Sequence, residues 1–271
     1  MFVLFSVACA RMPLTPITPV PTGQYHPGRV VWHDLLTDDV DSAANFYGRL
    51  FGWTFQERDR YTIVLNDGIP IAGIVQDRTG TERSARGRWI VYLSTENLEE
   101  SARWVDEAGG RVIKGPAEMI NRGHYAMIRD PQGAPLVLLR SFTGDPDPAE
   151  ATLGGWLWNE LWTTNTEAAL AFYQPLGGYA ARQAGSGDTD GYWVLMSNGA
   201  WQAGMTVVPF EDVPAQWVPV IRVSDPIAVA ARVPSLGGRV LVKPDHPLSE
   251  GSISVIEDPS GAIFMVESWQ P

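Results

Sequence analysis

The feature that most constrains this chain is that it contains itself twice. Residues 31–53, VWHDLLTDDVDSAANFYGRLFGW, align without gaps to 157–179, LWNELWTTNTEAALAFYQPLGGY, with 8 of 23 positions identical. At an offset of 131, YTIVLNDGIPIAGI (61–74) matches YWVLMSNGAWQAGM (192–205). At an offset of 128, Gly109-Gly110-Arg111-Val112 recurs as Gly237-Gly238-Arg239-Val240, and Asp130-Pro131 with Gly133-Ala134 recurs as Asp258-Pro259 with Gly261-Ala262. Collinear matches in one order mean a duplicated domain. A chain of 271 residues has room for two. The alignment places an N-terminal segment over 1–28, one domain over 29–142 and a second over 153–270.

Within each copy the periodicity switches. VVWHDLL is a short β-favouring run, and Asp38-Asp39 can cap a helix in which Val40, Ala43, Ala44, Tyr47 and Leu50 share a face. Three strand-like runs follow, WTFQER, YTIVLN and IAGIVQ, separated by turn residues. The order then restarts with WIVYLS, the helix NLEESARWVDEA and the runs RVIKGP, HYAMIRD and PLVLLRS. Strand, helix and three strands, twice per copy, predicts an α+β fold with largely antiparallel sheets.

The net charge is −11, and no Lys/Arg cluster interrupts the acidic balance, so nucleic acid is not an expected partner. The single Cys, Cys9, excludes an intrachain disulfide and a cysteine-based metal site. Cys9 ends an apolar run, MFVLFSVACA, too short to span a bilayer, and a Pro/Thr-rich stretch follows. That stretch cannot propagate a helix and reads as an extended, poorly ordered linker. Small residues before a lone Cys resemble the end of a lipoprotein signal peptide, with Cys9 acylated and the protein anchored in the cell envelope. Membrane contact is expected only through that anchor. No basic residues precede the run, and the other reading is a disordered cytoplasmic tail with an incidental Cys.

The doubled strand–helix–three-strand unit resembles the vicinal-oxygen-chelate superfamily, which includes glyoxalases, bleomycin-resistance proteins and dioxygenases. FYGRLFGW, the GGRV turns and the DPQGAPL and DPSGAIF motifs carry the resemblance. It implies two tandem domains, each a pair of βαβββ units curled into a cup. In that superfamily the cup holds a divalent ion on His, Gln or Glu. Counting from the motifs puts Trp32, Ile90 and Val137 at those positions in the first copy and Trp158, Val218 and Met265 in the second. None is an oxygen or imidazole ligand, so no metal and no other cofactor is expected.

Asp34 and Glu160 lie two residues beyond Trp32 and Trp158, on the same strand face. A carboxylate facing inward anchors a structural network, meets a polar ligand, or acts as a base with a raised pKa. Glu267, two past Met265, can supplement Glu160. His33 alternates to the opposite face and reads as a packed residue, while His124 is placed at the first cup's rim. His246 carries little signal. No motif for nucleophilic hydrolysis is present. The expected function is therefore capture of a small, partly aromatic ligand by Trp32, Asp34 and His124, or by Trp158 and Glu160, to sequester or sense it. The alternative is a lyase, isomerase or dioxygenase-type enzyme using the cup carboxylates or an unusual metal site. The first cup, with His124 and the smaller Val137, is expected to be the one that kept affinity.

Overall fold

The computed structural model describes residues 14–77, 87–148, 150–184, 191–244 and 252–269; Cys9 and His246 lie outside them. β1 (Val30–Thr37) leads into α1 (Val40–Phe51), which starts where the Asp39 carboxylate accepts the Ser42 N–H, a donor the first turn leaves open. Strands β2 (Thr54–Arg58), β3 (Tyr61–Asn66) and β4 (Ile69–Gln76) follow. The unit repeats as β5 (Arg88–Ser94), α2 (Leu98–Glu107), β6 (Arg111–Met119), β7 (Gly123–Arg129) and β8 (Pro135–Ser141).

The second copy runs β9 (Trp156–Thr163), α3 (Thr166–Gly177), β10 (Ala180–Gln183), β11 (Trp193–Ser197) and β12 (Ala200–Val207). It continues β13 (Gln216–Arg222), α4 (Pro226–Arg232), a 3-10 turn at Val233–Leu236, β14 (Arg239–Val242), β15 (Ile253–Glu257) and β16 (Ile263–Glu267). The sheets have one strand order, β2-β3-β4-β1-β5-β8-β7-β6 and β10-β11-β12-β9-β13-β16-β15-β14. Among the described strands only β1/β4, β5/β8, β9/β12 and β13/β16 pair in parallel. The α+β class and the duplication are as the periodicities predict.

Helices α1 and α3 sit at the junction of the copies, packed on their own strands and against the other repeat, while α2 and α4 stay on their own sheets. Phe46 and Tyr47 of α1 pack with Ile221, Ile256 and Phe264 of the second repeat, and Phe172 and Tyr173 of α3 with Val91, Ile128 and Leu136 of the first. Each DP turn holds the arrangement in place. Asp130 Oδ1 accepts the N–H groups of Gln132 and Ala134, and its Oδ2 accepts the Tyr173 hydroxyl at 3.0 Å. Asp258 does the same with Ser260, Ala262 and Tyr47, also at 3.0 Å. The opposite face of each sheet closes on its own cluster: Trp32, Tyr61, Ile90, Tyr125 and Val137 in the first cup, Trp162, Val218, Val255 and Met265 in the second.

Residues 14–28 correct the expectation of a poorly ordered linker. The segment is extended, as its prolines dictate, yet it straps across the first cup. Leu14 and Ile17 are buried in that cup's cluster, and the Leu14 N–H bonds to the Ile120 carbonyl. Further along, Thr22 and Gly23 donate to the Thr143 carbonyl and the His26 N–H to Asp145. The strap ends at Gly28, whose φ of +84° favours glycine and where a Cβ would meet the Gly177 carbonyl oxygen at 2.3 Å.

Candidate functional site

The two cups are built from the same plan. Asp34 pairs across β1/β4 with Gly73, and Glu160 pairs across β9/β12 with Gly204. A Cβ on Gly73 would lie 2.0 Å from the Tyr61 hydroxyl, and one on Gly204 would lie 2.0 Å from that of Tyr192. The repeated Ala-Gly therefore clears the space in which a tyrosine hydroxyl meets the acid and the tryptophan. Tyr61 donates to Asp34 Oδ1 at 2.7 Å, and Tyr192 to Glu160 Oε1 at 3.0 Å. The Trp32 indole N–H reaches Asp34 at 2.9 Å and Tyr61 at 3.0 Å, and the Trp158 indole N–H reaches Tyr192 at 3.2 Å. Trp32 with Asp34, and Trp158 with Glu160, thus share a cup face as strand alternation requires.

The cups then diverge. In the first, Asp34 is buried and its second oxygen accepts from Tyr92 at 2.5 Å, while Arg122, also buried, donates to Tyr61 at 3.0 Å. Burial, first, and then the charge of Asp34 push the Tyr92 hydroxyl well above its ordinary pKa, so it stays a donor. With Leu14 and Ile17 in the mouth, this cup is filled by its own chain.

His124 does not reach it. Its neighbour Tyr125 is buried in the cup cluster, whereas His124 alternates to the other sheet face, is exposed and sits edge-on to Phe142 at 5.2 Å. His33 is the packed residue its position predicts, stacked on Trp156 at 4.1 Å.

The second cup is less enclosed. Val220 stands where the first copy has Tyr92, so Glu160 has fewer donors: Tyr192 and, at 3.2 Å, the Trp162 indole. Trp158, Glu160, Tyr192 and Glu267 are all partly exposed. Burial raises the Glu160 pKa, and burial followed by the charge of Glu160 raises that of Glu267 to about 7. Among the described residues neither acid has a cationic partner. Trp158 also faces Trp201, at 6.4 Å between ring centres, and both line an adjoining groove of about 460 Å³ with Asn198, Gln202, His26 and Arg29, which neither Glu160 nor Glu267 lines.

The strand register refines the positions at which the superfamily holds its ion. Tyr92 lies beside both Trp32 and Val137, and Val220 beside both Trp158 and Met265, so the rows across the sheets are Trp32–Tyr92–Val137 and Trp158–Val220–Met265. Ile90 and Val218, the positions counted from the motifs, lie two residues away from these rows along the same face. These side chains do not fit a divalent ion: indole, valine and thioether offer no hard donor, and the Tyr92 hydroxyl is committed to Asp34. Tyr61, Tyr92, Arg122 and Tyr192 are the site residues that sequence reasoning missed. For Tyr61 and Tyr192 a signal existed, because they occupy one position of the repeat.

A family model described as the Glyoxalase/Bleomycin resistance protein/Dioxygenase superfamily matches residues 28–138. DnrV of Streptomyces peucetius, an anthracycline biosynthesis protein, is 30% identical over 264 residues, covering 90% of this chain and 94% of its own. CFP32 of Mycobacterium tuberculosis, which carries a provisional glyoxylase name, is 29% identical over 249 residues, covering 90% and 95%. Among solved structures, the Mn(II)-bound glyoxalase from Novosphingobium aromaticivorans superposes with a TM-score of 0.62 at 15% identity over 90% of this chain and 83% of that one. The 2,3-dioxygenase LapB from Pseudomonas sp. KL28 does so at 0.63 and 13%, over 92% and 94%. At such identities these two show the fold alone.

Proposed function

The chain belongs to the glyoxalase/bleomycin resistance protein/dioxygenase superfamily, and within it we propose that the second cup binds a small, partly aromatic molecule through a group that donates hydrogen bonds. The carrying observation is that Glu160 and Glu267 stand partly exposed beside Trp158, with no cation among the described residues to neutralise them. Two carboxylates so placed favour an amine or another donor-rich group, and an indole face adds area and cation–π attraction. Such a site suits a protein that sequesters or senses its ligand.

Calorimetry with 2-naphthylmethylamine, against the uncharged 2-naphthalenemethanol, tests the reading. The amine should bind more tightly, Glu160→Gln should weaken it at least about tenfold, and Asp34→Asn should not. Equal loss in both variants would make the carboxylates scaffold. Because binding a cation favours ionised acids, affinity should also strengthen as the pH rises through about 7, where Glu267 titrates.

One observation favours an enzymatic reading. A carboxyl titrating near 7 beside a second acid has the proton affinity of a general base, so Glu267 with Glu160 could move a proton on a bound ligand. Turnover that disappears in Glu267→Gln with binding retained would select that reading over sequestration.

A further inference from the structure

Arg122 is the side chain that a binding role for the second cup leaves unexplained. It follows the β6 strand in the turn closed by its own N–H to the Met119 carbonyl, and its side chain is fully buried in the first cup. A guanidinium carries five N–H donors in a plane, and its Nε and Nη2 form a side-on edge that one carboxylate spans with two parallel bonds. Here that edge is half used. Nε donates to the Thr15 carbonyl at 3.1 Å, and Nη2 has no partner among the described residues. The remaining nitrogen, Nη1, bonds to the Tyr61 hydroxyl, and the guanidinium lies 4.6 Å from the Trp32 ring centre and 5.2 Å from that of Tyr61.

Asp34 does not compete for the side-on edge, because Trp32, Tyr61 and Tyr92 already occupy its oxygens and the Tyr61 hydroxyl stands between the two charges. The group that does take the edge belongs to the strap. A peptide carbonyl supplies one of the two oxygens that a carboxylate would bring, and the flanking Leu14 and Ile17 fill the apolar space beside it.

We propose that the first cup is a second binding site, for a carboxylate carried on an aromatic or other apolar body, and that residues 14–18 occupy it as an internal stand-in which such a ligand displaces. The strap is suited to release at this end. Pro16 has no N–H to donate, and among the described residues the hydrogen bonds here apart from the Arg122 contact are Leu14 to Ile120 and Thr18 to Thr143. Thr22 and Gly23, bonded to the Thr143 carbonyl, and His26, bonded to Asp145, keep the segment attached beyond them.

The test uses the full chain, with 2-naphthoate as probe and 2-naphthamide as its uncharged control. Leu14→Ser with Ile17→Ser should bind naphthoate at least about tenfold more tightly than the natural chain, with no gain for the amide, and adding Arg122→Lys, which keeps the charge but not the fork, should remove the gain. In the natural chain, saturating naphthoate should speed hydrogen exchange at the Leu14 amide, a readout that stands even if the double variant fails to fold. The second-cup probe, 2-naphthylmethylamine, should not compete. An equal gain for the amide, an Arg122→Lys variant that retains the gain, competition by the amine, or Leu14 exchange that naphthoate leaves unmoved would each overturn the proposal.

Discussion

His33 Nε2 stands 2.7 Å from Asn159 Oδ1, and these two residues are one position of the repeat, brought face to face. Only a residue on an approximate twofold axis can meet its own counterpart, so this pair marks the axis relating the copies. The bond makes Nε2 the donor, and burial lowers the His33 pKa to about 4. A lowered histidine pKa leaves the folded state neutral while the unfolded chain, with its ordinary value near 6.5, takes up a proton. Stability should therefore fall as the pH drops from about 6.5 to 4, by something on the order of 3 kcal/mol. His33→Asn, which places the second repeat's residue on both sides of the axis, should remove that slope. Urea unfolding at pH 7 and pH 4.5 checks it; an unchanged difference between variant and natural chain at the two pH values would sink the idea.

The junction tyrosines offer a second measurement. Tyr47→Phe or Tyr173→Phe removes one donor from a buried carboxylate of the other repeat and should cost about 1–3 kcal/mol each. Because the two sites share no partners, the double variant should lose the sum of the single losses. Marked non-additivity in denaturant unfolding would show that the two junctions fail together.

Asp34 and Glu160 should separate by stability as well as by binding. Asp34→Asn strips charge from a carboxylate that accepts three side-chain donors and balances buried Arg122, and a loss of about 2–4 kcal/mol is expected. Glu160→Gln, at a partly exposed acid with no cation partner among the described residues, should change stability by less than about 1 kcal/mol. Thermal melts that rank the two in the opposite order would contradict the division of labour between the cups.

Glu267 supplies a slope of the opposite sign to His33. Its folded pKa of about 7 is raised, so its contribution is complete below an unfolded value near 4.5 and is lost as the pH rises through 7. Glu267→Gln should leave melting unchanged at pH 4 and raise it by roughly 2–4 °C at pH 8, a modest figure because solvent screens a partly exposed group. Equal shifts at both pH values would show that the acid pair is not under strain.

Much of this molecule was legible from the repeat. The matching segments required the two sheets to share one strand order, as they do, and period-2 alternation put Trp32 with Asp34 and Trp158 with Glu160 on cup faces. What failed depended on long-range packing. His124 lies at the start of a strand whose facing is set by its neighbour Tyr125, and the notional rim position was one residue out of phase. Arg122 carries no periodic signal, because it belongs to a turn. The strap's composition records that it cannot be helical, but not that Leu14 and Ile17 find an apolar cup to fill.

The packing of α1 and α3 against the other copy also has an evolutionary side. A single ancestral repeat would have exposed the faces that α1 and α3 now cover, and the partner able to cover them is another copy of itself. The present chain then reads as a homodimer whose two subunits were joined end to end. Fusion frees positions that symmetry once forced to change together: Tyr92 and Val220 could part, and so could the two cups, while Tyr47 with Asp258 and Tyr173 with Asp130 remain matched pairs inherited from one interface. Any cut between residues 142 and 153 should accordingly yield fragments that find each other again in solution.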